Sequence, residues 1–433
     1  MNALIPDSSF PRVLIIGGGF AGINLARSLQ NKPFQVVLVD KHNYHTFQPL
    51  LYQVATGGLE PDAIAYPLRK MFDRHKGLIF RIAEVNTIHP EKKCVTTNIG
   101  NIRYDHLVIA AGSQTNFFGN EGLSQLAQGM KSVPEALDLR SLILQNFEEA
   151  HQLEEETDID RIMDFVVVGG GPTGVETAGA LAELRKHILP KDYPELDFDM
   201  MDIHLIEAGP RILRSMSEKS SEDAFKALEK MGIHVHLETR VTSFDGTTIK
   251  TNSDLEIKAN TVIWAAGIKA VNFEGLEKAV IERGGRYKVD AFNRLEGYED
   301  VFVIGDTAIS FEDPQFPDGH PQVAQTAIQM GKVLGKNLIR MQQGAEMKPF
   351  RYADKGSMAT IGRNKAVLDL GKLHLGGFIA WMGWMFVHIL NLIGFRNKAV
   401  VFVNWVWNYF TYDKGNRLII RPFKRKEWGK VEG

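Results

Sequence analysis

The chain has 433 residues, of which 44% are hydrophobic, 24% are charged and 9% are aromatic. These values are typical of globular proteins and exclude a disordered or collagen-like chain, and the length predicts two or three domains. The 50 basic and 52 acidic residues leave a net charge of -2, which does not favour nucleic-acid binding. Because Cys94 is the single cysteine, no disulfide, redox-active cysteine pair or cysteine metal cluster can form within the chain.

Residues 12–40 have the pattern of a strand, a glycine-rich turn, a helix and a second strand. The turn contains Gly17, Gly19 and Gly22, and the second apolar run ends at Asp40. This is the dinucleotide-binding fingerprint, in which the glycines permit a tight turn, close approach of a pyrophosphate and close packing of helix on strand. The start of the helix would bind the phosphates, and Asp40 would accept hydrogen bonds from a ribose.

The same pattern recurs 152 residues later, with Gly169, Gly171 and Gly174 in the turn. Its acid, Glu207, lies 38 residues after Gly169 because a proline-containing loop is inserted. An acid at this strand end accepts a free ribose 2′-hydroxyl and repels a 2′-phosphate, so we expect NADH. The alternative is NADPH, whose phosphate would bind two arginines that follow Glu207 closely.

Two fingerprints imply two dinucleotides, of which one should be FAD and the other a nicotinamide. Further candidate contacts lie at the ends of other apolar runs. They are Ala111, Gly112, Gly305 and Asp306 for FAD, and Ala266 and Gly267 for NADH. A buried strand that ends in Gly-Asp can turn the aspartate toward the ribityl chain of a flavin. An ordinary turn that contains an aspartate is the alternative for Asp306.

Four motifs together narrow the comparison to one family. They are residues 42–55 (HNYHTFQPLLYQVA), the second fingerprint with Glu176 after it, residues 303–306 (VIGD) and residues 324–329 (AQTAIQ). With these motifs the chain resembles the type II, non-proton-pumping NADH:quinone oxidoreductases, within the flavoproteins that have two dinucleotide-binding domains. The resemblance covers about residues 10–370.

The resemblance implies an α/β fold with two Rossmann-like domains, as in glutathione reductase, and a C-terminal amphipathic helical region that anchors the chain to a membrane. We expect the FAD-binding domain over 1–150 and 270–345. The NADH-binding domain would be inserted at 151–269, and the membrane-associating region would occupy 346–433.

The resemblance also implies one non-covalent FAD, with NADH as a substrate. The FAD contacts would be Gly17, Gly18, Gly19, Phe20, Ala21, Gly22, Asp40, Lys41, Val85, Ala111, Gly112, Gly305, Asp306 and Ala324. The NADH contacts would be Gly169, Gly171, Gly174, Glu176, Glu207, Ala266 and Gly267. Glu176 would lie near the stacked nicotinamide and flavin and would be catalytic. The alternative is an ordinary acid near the start of a helix, stabilised by the helix dipole.

In the family, the AQxAxQ motif is attributed to quinone binding. Gln325 and Gln329 are four residues apart and would share one helix face, where their amides could donate to a quinone carbonyl. In the alternative these amides bind backbone groups or water. Gln48 is a weaker candidate. Some relatives have a lysine on a later helix that reaches the flavin, whereas no Lys or Arg occurs here between Lys372 and Arg396.

Aromatic residues concentrate near the C-terminus, where four of the six tryptophans lie between 381 and 407. Tryptophan and tyrosine favour the membrane interface. The uncharged residues 373–395 would span about 34 Å as one helix. We expect peripheral attachment through 373–412, with a transmembrane span and a buried or dimer-interface helix pair as alternatives. The basic residues Lys414, Arg417, Arg421, Lys424, Arg425, Lys426 and Lys430 would favour anionic headgroups.

The expected function is transfer of a hydride from NADH to FAD, and of two electrons to menaquinone or ubiquinone, without proton pumping. This would be an entry point of a respiratory chain on the cytoplasmic face of a bacterial inner membrane, and the resemblance suggests a homodimer. No secretory signal is expected. His42 and His45 lack a third ligand, so we predict no metal site. The alternative functions are a soluble FAD-dependent NADH reductase of a ferredoxin-like carrier and a non-catalytic NADH-sensing flavoprotein.

Overall fold

The structure, a computed structural model, describes residues 3–420 and 422–424. Its strands are Arg12–Ile16 (β1), Gln35–Asp40 (β2), Tyr44–Thr46 (β3), Ala65–Pro67 (β4), Leu78–Ile82 (β5), Val85–His89 (β6), Cys94–Thr97 (β7), Gly100–Arg103 (β8), His106–Ile109 (β9), Ser113–Thr115 (β10), Phe165–Val168 (β11), Ile203–Ile206 (β12), Ile233–His236 (β13), Val241–Phe244 (β14), Thr248–Thr251 (β15), Glu256–Lys258 (β16), Thr261–Trp264 (β17), Ile268–Ala270 (β18), Ile281–Glu282 (β19), Arg286–Lys288 (β20), Val301–Val303 (β21), Ala308–Ile309 (β22), Ser357–Thr360 (β23), Ala366–Leu370 (β24) and Leu373–Gly376 (β25). Its α-helices are Phe20–Ser28 (α1), Leu51–Ala55 (α2), Pro61–Ile64 (α3), Leu68–Met71 (α4), Glu121–Leu126 (α5), Val133–Ala150 (α6), Glu156–Met163 (α7), Pro172–His187 (α8), Leu189–Asp192 (α9), Glu218–Lys230 (α10), Ala324–Gln342 (α11), Gly377–Asn391 (α12) and Phe395–Thr411 (α13).

The chain divides into two compact units. The first comprises the described residues of Met1–His45, Tyr66–Gln114 and Ile268–Asp354, and the second those of Thr46–Ala65, Thr115–Gly267 and Lys355–Gly433. The second unit therefore includes residues 46–65 and 115–150, which the sequence placed with the FAD-binding domain. Packing explains part of this difference, because α6 packs against α2 and α7 within the second unit.

The first unit is built on a parallel five-stranded sheet with strand order β21-β9-β1-β2-β5. Its central strands are continuous apolar runs, typical of strands that are covered on both faces. Helix α11 packs against α1 so closely that a Cβ atom on Gly331 would lie 2.4 Å from the Ala21 carbonyl oxygen. This sheet and its helices hold the first glycine turn. The antiparallel sheet β6-β7-β8 belongs to the same unit.

The second unit repeats this arrangement with a parallel sheet of order β13-β12-β11-β17. An antiparallel sheet, β14-β15-β16, supplies Phe244, Ile249 and Ile257 to the same hydrophobic core as Val166 and Trp264 of the parallel sheet. The predicted α/β class with two Rossmann-like halves is confirmed, because both parallel sheets carry a strand, a glycine turn and a helix in the predicted order.

The C-terminal part of the second unit is an antiparallel sheet, β23-β24-β25, followed by α12 and α13. Leu373–Gly376 pairs with β24 as a strand, so residues 373–395 do not form the single helix that the sequence predicts. The helix is shorter than expected because the strand ends at Gly376 and the 15-residue α12 begins only at Gly377. Among the described residues, no helix has the length and apolar character needed to cross a bilayer.

Candidate functional site

The first glycine turn joins β1 to α1 in the first unit. Gly17 has a φ of +111°, which favours glycine, and its amide donates to the Val39 carbonyl oxygen at 2.8 Å. A Cβ atom on Gly22 would lie 1.9 Å from the Gly17 oxygen, so a side chain there would force the helix away from the turn. At Gly19, in contrast, a Cβ atom would meet nothing within 4 Å. The backbone at Gly19 is therefore open to a ligand.

The second glycine turn, between β11 and α8 in the second unit, has nearly the same geometry. Gly169 has a φ of +114°, and its amide donates to the Ile206 carbonyl oxygen at 2.7 Å. A Cβ atom on Gly174 would lie 1.8 Å from the Gly169 oxygen, whereas one on Gly171 would again meet nothing within 4 Å. The sequence repeat is therefore also a repeat of backbone conformation.

The acid at the end of the second strand makes the same contact in both repeats. Asp40 Oδ2 accepts a hydrogen bond from the Gly18 amide at 2.6 Å, and Glu207 Oε2 accepts one from the Gly170 amide at 2.7 Å. The second oxygen of each carboxylate accepts the backbone amide two residues farther along the chain, at 2.7 Å in both cases. Each carboxylate is thus held beside its glycine turn, where the adenosine ribose of a dinucleotide would lie.

The other residues predicted to contact FAD belong to the first unit. The Asp306 carboxylate follows β21 and accepts a hydrogen bond from Ser113 Oγ at 2.5 Å. Gly17, Gly18, Ala21, Gly22 and Gly305 are buried, Phe20, Asp40, Val85, Ala111, Gly112, Asp306 and Ala324 are partly buried, and Gly19 and Lys41 are exposed. In the second unit, Ala266 and Gly267 are partly buried directly after β17.

Glu176 lies near the start of α8, shortly after the second glycine turn. Its side chain is buried, and its Oε1 accepts a hydrogen bond from the Thr360 amide at 3.4 Å. Burial raises the pKa of this carboxyl to about 8, and the Thr360 amide and the nearby Trp384 side chain offset part of the rise. The carboxyl is therefore protonated at neutral pH and can donate a hydrogen bond or a proton.

A pocket of about 120 Å³ lies beside Glu176 within the second unit. Its aromatic lining consists of Tyr52, Trp381, Trp384, Trp405, Tyr409 and Tyr412. The Trp405 indole donates to Gln53 Oε1 at 2.8 Å, and the Trp384 and Trp405 ring centroids are 5.4 Å apart. Because a cavity of about 150 Å³ holds benzene, this pocket is close to the size of one six-membered ring.

Three charged side chains line the same pocket: Glu183, Arg363 and Lys414. The Arg363 backbone amide donates to Glu183 Oε1. Burial raises the pKa of the Glu183 carboxyl, and nearby Lys414 and Arg363 offset part of the rise. Burial lowers the pKa of the Lys414 ammonium group, which Glu183 in turn raises. These side chains place an acidic group and two basic groups at one side of an aromatic pocket, and each shifts the pKa of its neighbour toward the charged form.

Both the sequence and the fold match known proteins. Residues 11–331 match the pyridine nucleotide-disulphide oxidoreductase family, and residues 355–412 match the NDH2 C-terminal domain. The type II NADH:quinone oxidoreductase NdhA of Mycobacterium tuberculosis is 37% identical over 94% of this chain and 89% of its own length. The type II NADH:quinone oxidoreductase of Haemophilus influenzae is 31% identical over 83% of this chain and 86% of its own length.

The chain belongs to the type II NADH:quinone oxidoreductase family. The family resemblance predicted from the four motifs is therefore confirmed. Solved structures of other proteins have a fold similar to that of this oxidoreductase. The NDH2 structure from Plasmodium falciparum in complex with NADH has a TM-score of 0.87 and 21% identity, and covers 95% of this chain and 100% of its own. The sulfide:quinone oxidoreductase structure from Aquifex aeolicus has a TM-score of 0.72 and 19% identity, with coverage of 92% and 95%.

Two of the three glutamines that the sequence of this oxidoreductase suggests for quinone binding, Gln329 and Gln48, bind backbone groups. Both ends of the Gln329 amide bind the backbone of Ala353, with Nε2 to the carbonyl oxygen at 2.9 Å and Oε1 to the amide at 3.0 Å. This matches the alternative in which the glutamines bind backbone groups. Gln325 lies in the first turn of α11, and the exposed Gln48 donates to the Lys131 carbonyl oxygen at 3.3 Å.

Two of the basic residues expected to face lipid headgroups have neighbours within the second unit. The Lys414 ammonium group lies in the aromatic pocket, and the Arg417 guanidinium pairs with Asp192 at 2.5 Å. The expectation of a headgroup contact is wrong for Lys414, whose ammonium group is buried, whereas for Arg417, whose side chain is still 25% exposed, it stays a prediction. Lys424 is exposed. Arg421, Arg425, Lys426 and Lys430 lie outside the described residues.

The sequence did not single out Glu183, Arg363 or the aromatic pocket. Glu183 follows Glu176 by seven residues, which places both on one face of α8, and this spacing was the available signal. The other lining residues come from segments far apart in sequence.

Elsewhere in the second unit, Asp164, Asp202 and His204 have ligand atoms within 4.8 Å of one another. Asp164 Oδ1 accepts the Asp202 amide at 2.6 Å, and we assign no metal to this cluster.

Proposed function

We propose that this oxidoreductase binds NADH at its second glycine turn, passes two electrons through one non-covalent FAD and reduces a membrane quinone without pumping protons. The observation that carries the proposal is the position of Glu176. It follows the second glycine turn in the same helix, and its buried carboxyl lines the aromatic pocket. One residue thus belongs both to the helix that would bind the NADH pyrophosphate and to a pocket of the size of a quinone ring.

The residues of the first unit fit an FAD molecule. The open backbone at Gly19, the start of α1 and the Asp40 carboxylate match the needs of a pyrophosphate and a ribose. Asp306 and Ser113 would hold the ribityl chain, and Val85 and Ala324 would contact the two ring systems. A bound flavin supplies the two-electron carrier that NADH and a quinone both require.

Binding of NADH would use Gly169, Gly171 and Gly174, with Ala266 and Gly267 at the neighbouring strand end. Glu207 supports NADH over NADPH, because its carboxylate is held beside the turn by two backbone amides and would repel a 2′-phosphate. The helix dipole of α8 would stabilise the pyrophosphate.

We assign the aromatic pocket to the quinone ring. Its tryptophan and tyrosine rings can stack on a planar ring, and Glu176 can donate to a carbonyl oxygen as long as it is protonated. Quinone reduction consumes two protons, and a carboxyl with a pKa near 8 is suited to supply one of them at neutral pH. Either menaquinone or ubiquinone fits this description.

We also propose that the protein attaches peripherally to the membrane, on the cytoplasmic face of a bacterial inner membrane. The outer surfaces of α12 and α13 carry exposed apolar side chains: Phe378, Ile379, Met382, Phe386, Val387, Leu390, Phe395, Phe402, Val403, Val406, Trp407 and Phe410. Exposed apolar surface of this extent is typical of an interaction site, and a lipid surface suits its aromatic composition. The same two helices line the pocket, so a quinone could enter from the lipid. A homodimer stays a prediction.

The first experiment is the anaerobic visible spectrum of the purified protein, recorded after NADH is added and again after a short-chain quinone is added. Bleaching of the flavin band by NADH, followed by recovery with quinone, is the expected result. Bleaching without recovery would favour the alternative of a soluble reductase with a protein acceptor. No bleaching with NADH would favour the non-catalytic alternative and contradict the proposal.

A further inference from the structure

Arg363 lies in the turn between β23 and β24 and lines the aromatic pocket. Its guanidinium carbon is 3.9 Å from the ring centroid of Tyr412 and 4.4 Å from that of Tyr409. A cation over aromatic faces at these distances is attracted by the rings, and arginine is the residue that most often makes this contact. The two tyrosines therefore hold the guanidinium group at the wall of the pocket.

Two of the three nitrogen atoms of this guanidinium are buried without a hydrogen-bond partner in the described part of the chain. Its Nε and Nη1 atoms are buried, and they meet no hydrogen-bond acceptor in the part of the chain that the structure describes. A guanidinium has donors only and stays charged across the physiological pH range, so it cannot adapt by losing a proton. Buried donors of this kind are normally paired, and a ligand that brings an acceptor oxygen into the pocket would pair them.

The turn that carries Arg363 is held in place by its neighbours. The Arg363 amide donates to Glu183, and Thr360 Oγ1 donates to the carbonyl oxygens of Gly362 and Lys365 at 2.8 Å and 3.1 Å. Gly362 has a φ of +63°, and a Cβ atom there would lie 3.0 Å from Glu183 Oε1. Such a turn keeps the guanidinium in position before a ligand binds, which reduces the entropy cost of binding.

The chemistry of the pocket specifies the acceptor. Aromatic walls select a flat ring, and donors from Glu176 and Arg363 select oxygen atoms on that ring. We propose that Arg363 donates hydrogen bonds to one carbonyl oxygen of the quinone and stabilises the negative charge that this oxygen gains during reduction. This inference rests on the proposed function. The overall reaction, NADH + H⁺ + quinone → NAD⁺ + quinol, balances without any proton from Arg363.

The test compares Arg363→Gln and Arg363→Lys with the wild-type holoprotein. Arg74→Gln, at an exposed position of the first unit, is the control. Stopped-flow bleaching by NADH measures the first half-reaction, and steady-state turnover with a short-chain quinone gives its KM and kcat. Quenching of the pocket tryptophans by the same quinone measures binding without turnover, with inorganic phosphate as a competing anion.

We expect Arg363→Gln to bind flavin and to be bleached by NADH like the wild type, with a quinone KM raised about tenfold, a lowered kcat and weaker quenching. Arg363→Lys keeps the charge but has a single donor group, so its quinone KM should lie between those of the wild type and Arg363→Gln. A quinone KM and quenching within about twofold of wild type in both variants would overturn the inference. If Arg363→Gln does not fold, a quinone KM in Arg363→Lys equal to that of the wild type would by itself overturn the inference.

Phosphate binding that Arg363→Gln abolishes, with no competition between phosphate and quinone, would show that Arg363 binds an anion, such as a lipid phosphate, instead of the quinone, and would also overturn the inference. Failure of the proposed function is a separate result, because in that case the wild-type protein itself would not reduce the quinone. A protein that reduces quinone normally without Arg363 would leave the proposed function intact.

Discussion

The Glu176 carboxyl accepts a hydrogen bond from the Thr360 backbone amide at 3.4 Å and is 7% exposed. The contact joins helix α8, which carries the second glycine turn, to strand β23, which leads to Arg363. The Thr360 amide and the nearby Trp384 side chain do not fully compensate for the loss of water around a carboxylate, so the neutral form is favoured and the pKa rises to about 8. This protonation state affects both catalysis and stability.

The first prediction concerns the pH dependence of quinone reduction. If Glu176 gives a proton to the quinone, kcat should fall as the pH rises through the carboxyl pKa of about 8. Glu176→Gln should lose this dependence and lower kcat by about 100-fold, because an amide cannot give up a proton at these pH values. Steady-state rates at saturating NADH check this, with Glu229→Gln on the exposed side of α10 as the control. Flavin reduction, NADH affinity and turnover equal to the wild type in Glu176→Gln would remove the assigned role.

The second prediction concerns stability. In the unfolded chain the Glu176 carboxyl has its ordinary pKa of 4.5 and loses its proton near that pH, whereas the folded protein keeps the proton up to about pH 8. The wild type should therefore lose stability relative to Glu176→Gln as the pH rises from about 5 to about 8, by at most roughly 5 kcal/mol, and the difference should then level off. Thermal unfolding of both proteins across this range measures it. A difference in Tm that does not change with pH would show that the carboxyl is not protonated in the folded state.

The two glycine turns allow the two cofactor sites to be separated. Gly19 and Gly171 have φ angles of -76° and -74°, which alanine adopts freely, and a Cβ atom at either meets nothing within 4 Å. An alanine at either position should therefore leave the fold intact, and its methyl group should occupy only space that a bound pyrophosphate needs. We expect Gly19→Ala to lose most of its flavin, and Gly171→Ala to keep its flavin but show an NADH KM raised about tenfold. Flavin content and KM measure this, and each variant is the control for the other. Loss of flavin in Gly171→Ala alone would reverse the assignment of the two sites.

The exposed apolar side chains of α12 and α13 should govern membrane attachment. Phe386 is 65% exposed and Phe402 is 56% exposed, and neither lines the aromatic pocket. Changing both to serine should weaken binding to anionic vesicles about tenfold or more, because each phenyl ring buried in lipid contributes about 1.5–3 kcal/mol. Phe10→Ser, at a 52% exposed phenylalanine of the first unit, is the control. Cosedimentation measures binding, and turnover with a short-chain quinone should stay within about twofold of wild type. Unchanged vesicle binding would mean that these helices bind something other than a membrane.

The sequence by itself determined the two dinucleotide turns and the family. A glycine turn is a local structure, because the spacing of Gly17, Gly19 and Gly22 and the apolar run before them suffice to define the backbone path. The same holds for the acids, since Asp40 is the last residue of its strand and Glu207 directly follows its strand. Their observed contacts with the amides of the turns agree with this local interpretation.

Only the tertiary structure decided what surrounds the reactive groups. The pocket is assembled from α2, α8, the β23–β24 turn, α12, α13 and Lys414, which are widely separated in the chain. Burial of Glu176, the stacking of Arg363 on two tyrosines and the inward position of Lys414 all depend on that packing. Gln329 likewise binds the Ala353 backbone, a partner that no helical spacing reveals. Burial and hydrogen-bond partners set a side chain's pKa and availability, and both are properties of contacts between distant segments, which one sequence does not specify.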